Sequence, residues 1–420
     1  MAQKASLPSI YEEMTIINKD GKEAALQGKT ISFDYYESLY SPITTANLLY
    51  VDAGGSTPDK KEKLTSVKDG LPIIGLEDVK VKIQTKYGTL DFTKIPFKVN
   101  TAPVINQDPN RQTVLLNLIN PLEKVNSDTP IFDRFVGKIS DTVIKMLLQK
   151  LGLTEDKIDV EPTKNDYGIV GRGRGALNII LDLCRRSVKV EGDAGYFFFQ
   201  TQKKLNFKSI DTLLSQDPVE TYSYTGGLRA NDDSSDNDFK ILTAPKFIKD
   251  QDVMKALKNG TYVNRNVFFD PRSFEYTEFT YSIDKDGVKK TLGGEIPLKD
   301  EVNSFTKTNH HILDIGSFDV KRITPNNDPR EWQATSTMRY NLLHSQIMNI
   351  QVPCNVNLKA GDIIKLVIET LSEDKEQGIE DEQQSGNYLI LHLCHHFDSI
   401  RSSTSMTLVR DTYGKQRKNQ

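Results

Sequence analysis

Cysteine is scarce in this sequence: Cys184, Cys354 and Cys394 are the only three in 420 residues, odd in number and far apart. That pattern implies no disulfide framework and fits reduced thiols in a chain made and assembled in cytosol. Apolar runs are short as well. Nowhere do about 18 apolar residues follow one another, and the opening MAQKASLPSIYEEM has no stretch resembling a signal peptide. Neither a membrane-spanning helix nor export by the usual route is expected. A surplus of either charge is missing too, with 54 Lys and Arg against 57 Asp and Glu. A general nucleic-acid binder concentrates a basic excess on one face, so this balance argues against that class. The motifs G-x-S-x-G, H-E-x-x-H and paired C-x-x-C do not occur, which lowers the odds of an enzyme. What is there is a globular composition, 37% hydrophobic and 26% charged. The length suffices for about two or three domains, each able to bury its own core.

Strand patterns fill the first 120 residues. ISFDYYESLY runs from Ile31 to Tyr40 and stops at Pro42; TANLLYVDAGG follows it and ends at Gly54-Gly55. From Val79, VKVKIQT alternates: Val79, Val81 and Ile83 face one way, Lys80, Lys82 and Gln84 the other. A half-buried antiparallel strand requires that period. Lys86-Tyr87-Gly88-Thr89 reads as a hairpin turn, and TVLLNLI from Thr113 closes the set.

The period then changes. SDTVIKMLLQKLG places Val143, Leu147 and Leu151 on one helical stripe, with a cap at Ser140 and a stop at Gly152. A second helix is expected from Gly175 to about Val188, followed by the strand pair GYFFFQ and LNFKS and a short helix at SIDTLLSQ. NDDSSDND from Asn231 reads as a linker. Strand signals resume beyond it: NRNVFFDP, FEYTEFTYSI, the turn-and-strand NLKAGDIIKLVIETL, then YLILHLCHHF and SMTLVRD. The stretch from Ser372 to Gly386 holds six acids against one lysine and is expected to be a solvated loop that could not hold two carboxylates at catalytic spacing. These divisions give a first β domain at 1–120, an α+β connecting region at 121–235, a second β domain with insertions at 236–413, and a tail at 414–420.

Two local signals invite a chemical reading. GRGRG from Gly171 precedes a helix, but EPTKNDYGIV before it, with Pro162, Asn165 and Asp166, is no buried strand, and no Lys-Ser/Thr pair follows. A dinucleotide or phosphate loop needs those parts, so a basic loop entering a helix is expected. His392, Cys394 and His396 share one face of a strand and are all metal-ligating types, with His310 and His311 as further candidates by composition. Residues four apart on a strand lie about 13 Å from each other, too far for one ion. Leu389, Leu391 and Leu393 are expected on the opposite, core-facing side. A structural strand is the expectation, with no catalytic, cofactor or metal residue assigned.

The block MRYNLLHSQIMNIQVPCNVNLKAGDII from Met338, then SGNYLILHLCHHF, then TSMTLVRDTYG resembles the central baseplate hub proteins of contractile-tailed, myovirus-type phages. FDYYESLYSPITTANLLYVDAGG and AGYFFFQTQKKLNFKSIDTLLS resemble the same family. The resemblance implies an α+β, β-dominated chain with two tail-tube-like antiparallel β-barrel domains and α+β insertions between them. It implies a homotrimer whose ring joins a sixfold tail tube, or tube-initiator protein, to a separate threefold spike. Baseplate wedge and tape-measure proteins are further implied partners, and DNA passes through without specific binding. Such a part is assembled in host cytoplasm and ends in the virion tail. The alternative is a tail-associated cell-wall hydrolase.

Overall fold

The computed structural model describes residues 8–55, 57–58, 64–108, 110–224, 236–250, 252–283, 288, 290–293, 296, 307–313, 328–369 and 380–413. Most of the acidic loop, the first part of the polar linker and the tail lie outside these residues. Strand outweighs helix, 46% to 20%, and antiparallel pairing predominates, as the alternating patterns lead one to expect.

Fifteen strands join in one sheet. From the first 120 residues come β1 (Ile10–Ile17), β2 (Glu23–Ala25), β3 (Thr30–Ser38), β4 (Thr45–Asp52), β5 (Asp78–Thr85), β6 (Gly88–Asp91), β7 (Phe97–Thr101), β8 (Val104–Asp108) and β9 (Arg111–Ile119). Further along come β10 (Glu220–Tyr224), β11 (Lys246–Lys249), β12 (Gln346–Pro353), β13 (Ile363–Ile368), β14 (Gly386–Asp398) and β15 (Ser402–Arg410). Their spatial order is β11-β12-β15-β14-β3-β4-β9-β7-β5-β1-β2, with β6, β8, β10 and β13 paired at the sides. Period-two alternation explains the burial. Val79, Val81 and Ile83 of β5 are fully buried, while Lys80 and Lys82 are not. β10, inside the stretch read as the connecting region, pairs in parallel with β13.

The middle block packs helices on a short sheet of Ile158–Val160, Leu205–Ser209 and Tyr196–Gln200. Its core unites Val143 and Leu147 with Leu177, Ile180, Tyr196 and Phe207. Helix Pro121–Asp128 opens the block, and the helix expected at SDTVIKMLLQKLG is Ile139–Lys145, continuing as a π-helical turn over Met146–Lys150. Ser140 therefore lies inside the helix, and Lys138 occupies the cap position without a side-chain hydrogen bond. The short helix Ile210–Leu214 is capped by Ser209, whose hydroxyl accepts from the Thr212 amide. Within the C-terminal half, Glu275–Ser282, Val263–Asp270 and Lys307–Ile312 form a separate three-stranded sheet, and helix Gln333–Leu343 leads into β12.

The two β-rich blocks meet edge to edge. β14 pairs antiparallel with β15 on one side and with β3 on the other, in a register running from His392 opposite Ser38 to Asp398 opposite Ser32. The core crosses this seam as well: Cys354, Val356 and Phe397 pack in the same cluster as Phe33, Tyr35 and Val81.

Candidate functional site

The three residues singled out on β14 lie on the seam, and they do share one face. His392, Cys394 and His396 stand half-buried there, while Leu393, His395 and Phe397 point into the core. Their neighbours on β3 are Ser38, Tyr36 and Asp34. His396 Nδ1 lies 2.5 Å from Asp34 Oδ1, and this hydrogen bond raises the imidazole pKa above its ordinary value. His392 Nδ1 lies 2.8 Å from Ser38 Oγ, and burial lowers its pKa, so the ring is neutral. Burial pushes the Cys394 thiol up to about 12, which keeps it protonated and a poor nucleophile or ligand. Among the described residues, no group of three or more His, Cys, Asp or Glu side chains is placed to hold a metal ion. His310 and His311 lie on the separate three-stranded sheet, where the His311 ring stacks on Phe268, and do not join the seam histidines.

The leucines divide differently from the simple alternation expected of them. A β-bulge between Ile390 and His392 shifts the phase of the strand. Leu389 and Leu391 pack with Phe197 and Phe199 of the middle block, whereas Leu393 joins Tyr388 and Ile390 on the other side. This part of β14 is thus covered on both faces.

The seam presents a polar face in which uncharged groups predominate. Cys394 is flanked by Ser405 and Tyr36, and Tyr36 in turn by Thr45; His396 stands between Ser403 and Asp34, which is followed by Asn47. Tyr36, His392, Cys394, Thr407 and Lys246 help line an open groove of about 680 Å³ on this side.

On the opposite face, one buried carboxylate ties three parts of the chain together. Glu37 occupies the core phase of β3 after Phe33 and Tyr35 and is 3% exposed. It accepts from Tyr35 Oη at 2.8 Å, from the Gln202 amide of the middle block at 2.7 Å, and from the Ala360 amide of the turn before β13 at 3.0 Å. Burial outweighs these bonds and raises its pKa from 4.5 to about 7. Nearby Asp362 is also raised by burial, to about 6. The clue in the sequence is an acid in the apolar phase of an otherwise aromatic strand, a signal that belongs to no chemical motif.

A second joint is ionic. Arg339, on helix Gln333–Leu343, is 1% exposed and donates through Nη2 to Asp211 Oδ1 at 2.6 Å and to the Lys290 carbonyl at 2.9 Å. Asp193 and Asp411 lie 3.7 and 3.9 Å from its guanidinium. Middle block, helix and the residues just after β15 therefore share one buried charge cluster. No periodicity marks Arg339, because its partners are distant in sequence.

The GRGRG segment serves packing. A Cβ on Gly171 would fall 2.2 Å from the Ile131 carbonyl oxygen, and one on Gly175 would fall 2.5 Å from the Asn126 side chain. Asn126 Oδ1 instead accepts from the Leu177 amide at the start of helix Ala176–Cys184. The glycines let the loop lie flush on its neighbours.

No family model matches the chain, and no curated protein does. Among solved structures, the tail protein from Neisseria meningitidis MC58 aligns with a TM-score of 0.53 at 10% identity, covering 95% of this chain and 96% of that one. The 43 kDa tail protein of prophage MuSo2 from Shewanella oneidensis gives 0.53 at 9% identity, covering 95% and 98%. The chain has the fold of phage tail proteins. Since 95% of the chain is covered, the tail-protein fold takes in both β blocks and the middle block. The phage-tail resemblance read from the sequence motifs and this likeness of backbone agree.

Proposed function

We propose that this protein is a structural, non-enzymatic hub subunit of a tail baseplate. In this reading three copies form a ring that adapts a sixfold tube to a threefold spike and leaves a channel for DNA. The observation that carries the reading is the β3–β14 seam, which fuses two β-rich blocks into one sheet within a single chain. Three such chains present six blocks, the number a sixfold tube needs opposite a threefold partner. Each block is read as one tail-tube-like barrel unit, the first at 1–120 and the second at 236–413, joined by the α+β region and followed by the tail at 414–420.

The chemistry of the seam supports a part that holds shape and lets a polymer slide. Its thiol is protonated, His392 is neutral, and the same half-buried face presents Ser, Thr, Asn and Tyr. A wall of that kind offers few fixed cations to grip phosphates. Native mass and negative-stain imaging of the purified chain test the reading. The expected result is a trimeric ring with a central opening; a monomer at micromolar concentration, or turnover of cell-wall polymer, overturns it.

A further inference from the structure

Two exposed surfaces on different blocks are opposite in charge and both aromatic. The first is a knob on the middle block. Phe132 is 71% exposed and Val136 54%, yet the Phe132 ring is held in place, because it lies so close over Gly173 that a Cβ there would sit 3.1 Å from it. Arg134 and Arg172 project beside it and have no ion pair among the described residues, whereas neighbouring Asp133 and Arg174 are taken up by Lys150 and Asp182. Arg172 is held at φ +56°, a left-handed conformation unfavourable for a side chain of its size.

The second surface is the hairpin tip of the separate three-stranded sheet. Phe274 is 76% exposed and Tyr276 70%, with Glu275 and Glu278 between and beyond them. Phe274 and Tyr276 both pack on Phe269, so these rings too are presented in fixed positions. Phe274, like Arg172, has a positive φ, at +57°. Glu278 is bound to Arg265 of the adjacent strand, Arg272 in the tip lies 3.9 Å from Asp270, and Glu275 has no ion pair among the described residues, so the surplus charge of the hairpin is negative. Large exposed rings on ordered backbone, rimmed by charge, are the composition of contact surfaces.

We infer that copies of this chain associate head to tail, the Phe132–Arg172 knob of one copy seating against the Phe274–Glu278 hairpin of the next. A self-complementary twofold contact at either surface would set like charges against each other. A contact between the two different surfaces pairs arginine with glutamate and leaves one free surface at each end, the arrangement that closes into a ring. The inference rests on the ring reading above and assigns its interface.

Cysteine cross-linking tests the contact in the full chain. Oxidation of the double variant F132C/Y276C is expected to give a covalent ladder that ends at the ring size. F132C alone, Y276C alone and the wild-type chain, with its own thiols, are expected to give none. A dimer from either single variant would mean a twofold contact and overturn the inference. The charge reversal R134E/R172E is expected to weaken assembly by on the order of a hundredfold with an unchanged circular dichroism spectrum. A wild-type ring whose F132C/Y276C variant yields no ladder refutes this interface and leaves the hub reading standing, whereas a wild-type monomer refutes both.

Discussion

Replacing Arg339 with alanine should be among the most damaging single changes in the molecule. The guanidinium is 1% exposed and faces Asp211 and Asp411, which are 2% and 1% exposed, with Asp193 close by. Removing it leaves two buried carboxylates without their cation. Asp211 keeps the Asp193 amide and Asp411 the Leu292 amide, but neither bond neutralises a charge. Breaking a buried pair from one side costs about 3–5 kcal/mol, a large share of a typical stability of about 5–15 kcal/mol. The corresponding shift in urea midpoint is on the order of 1–2 M. The sign of the pH response follows. Burial already raises the Asp411 pKa while Arg339 lowers it, so the variant's carboxyl should rise further. A carboxyl with a raised folded pKa favours the native state as pH falls, so the deficit of R339A should shrink from pH 8 to pH 5.5. Urea titrations followed by circular dichroism at both pH values measure it. A loss below about 1 kcal/mol, or a deficit equal at both pH values, would refute the reasoning, since about 3–5 kcal/mol is expected for an orphaned buried pair.

Three other changes probe the joints. Because the Glu37 pKa is raised from 4.5 to about 7, wild-type stability should decline across that interval as pH rises; E37Q should lack the decline and gain on the wild type until about pH 7, as read from urea midpoints. His396 has a raised pKa from its bond to Asp34, so its contribution is full below its ordinary pKa and lost as pH rises through the raised one. H396A should thus lose about 0.5 kcal/mol at pH 5.5, with the gap closing by pH 9. G171A forces a methyl against the Ile131 carbonyl oxygen and should cost about 1–3 kcal/mol in the same assay, with the rotation of the middle-block tyrosines reported by near-ultraviolet dichroism.

Much of the local structure could be read directly from residue order. Alternation of Val79, Val81 and Ile83 against Lys80 and Lys82 needs no tertiary context, because one face of a strand is buried and the other wet. The shared face of His392, Cys394 and His396 was legible for the same reason. What escaped depends on distant partners. The bulge after Ile390 inverts the phase of the leucines because the upper part of β14 is covered on both sides, and hydrophobicity alone carries no phase there. Ser140 looks like a helix cap, yet its amide is bound to Thr163 Oγ1 and the helix has already begun. Glu37 and Arg339 acquire meaning only once three segments converge on each.

The seam also sets an order of events during synthesis. Ser38 and His392, which face each other across it, are separated by 354 residues. At about 5–20 residues per second, roughly 20–70 s pass between the appearance of β3 and of its partner. Throughout that interval the edge of β3, carrying Phe33, Tyr35 and Tyr36, has no strand to pair with on that side. An unpaired aromatic edge invites pairing with the wrong chain, and nascent copies on neighbouring ribosomes carry the same edge. Productive folding is thus a race between release of the last strands and mutual capture of half-made sheets, and slow translation of the C-terminal third should lower the yield of native protein even though no residue has changed.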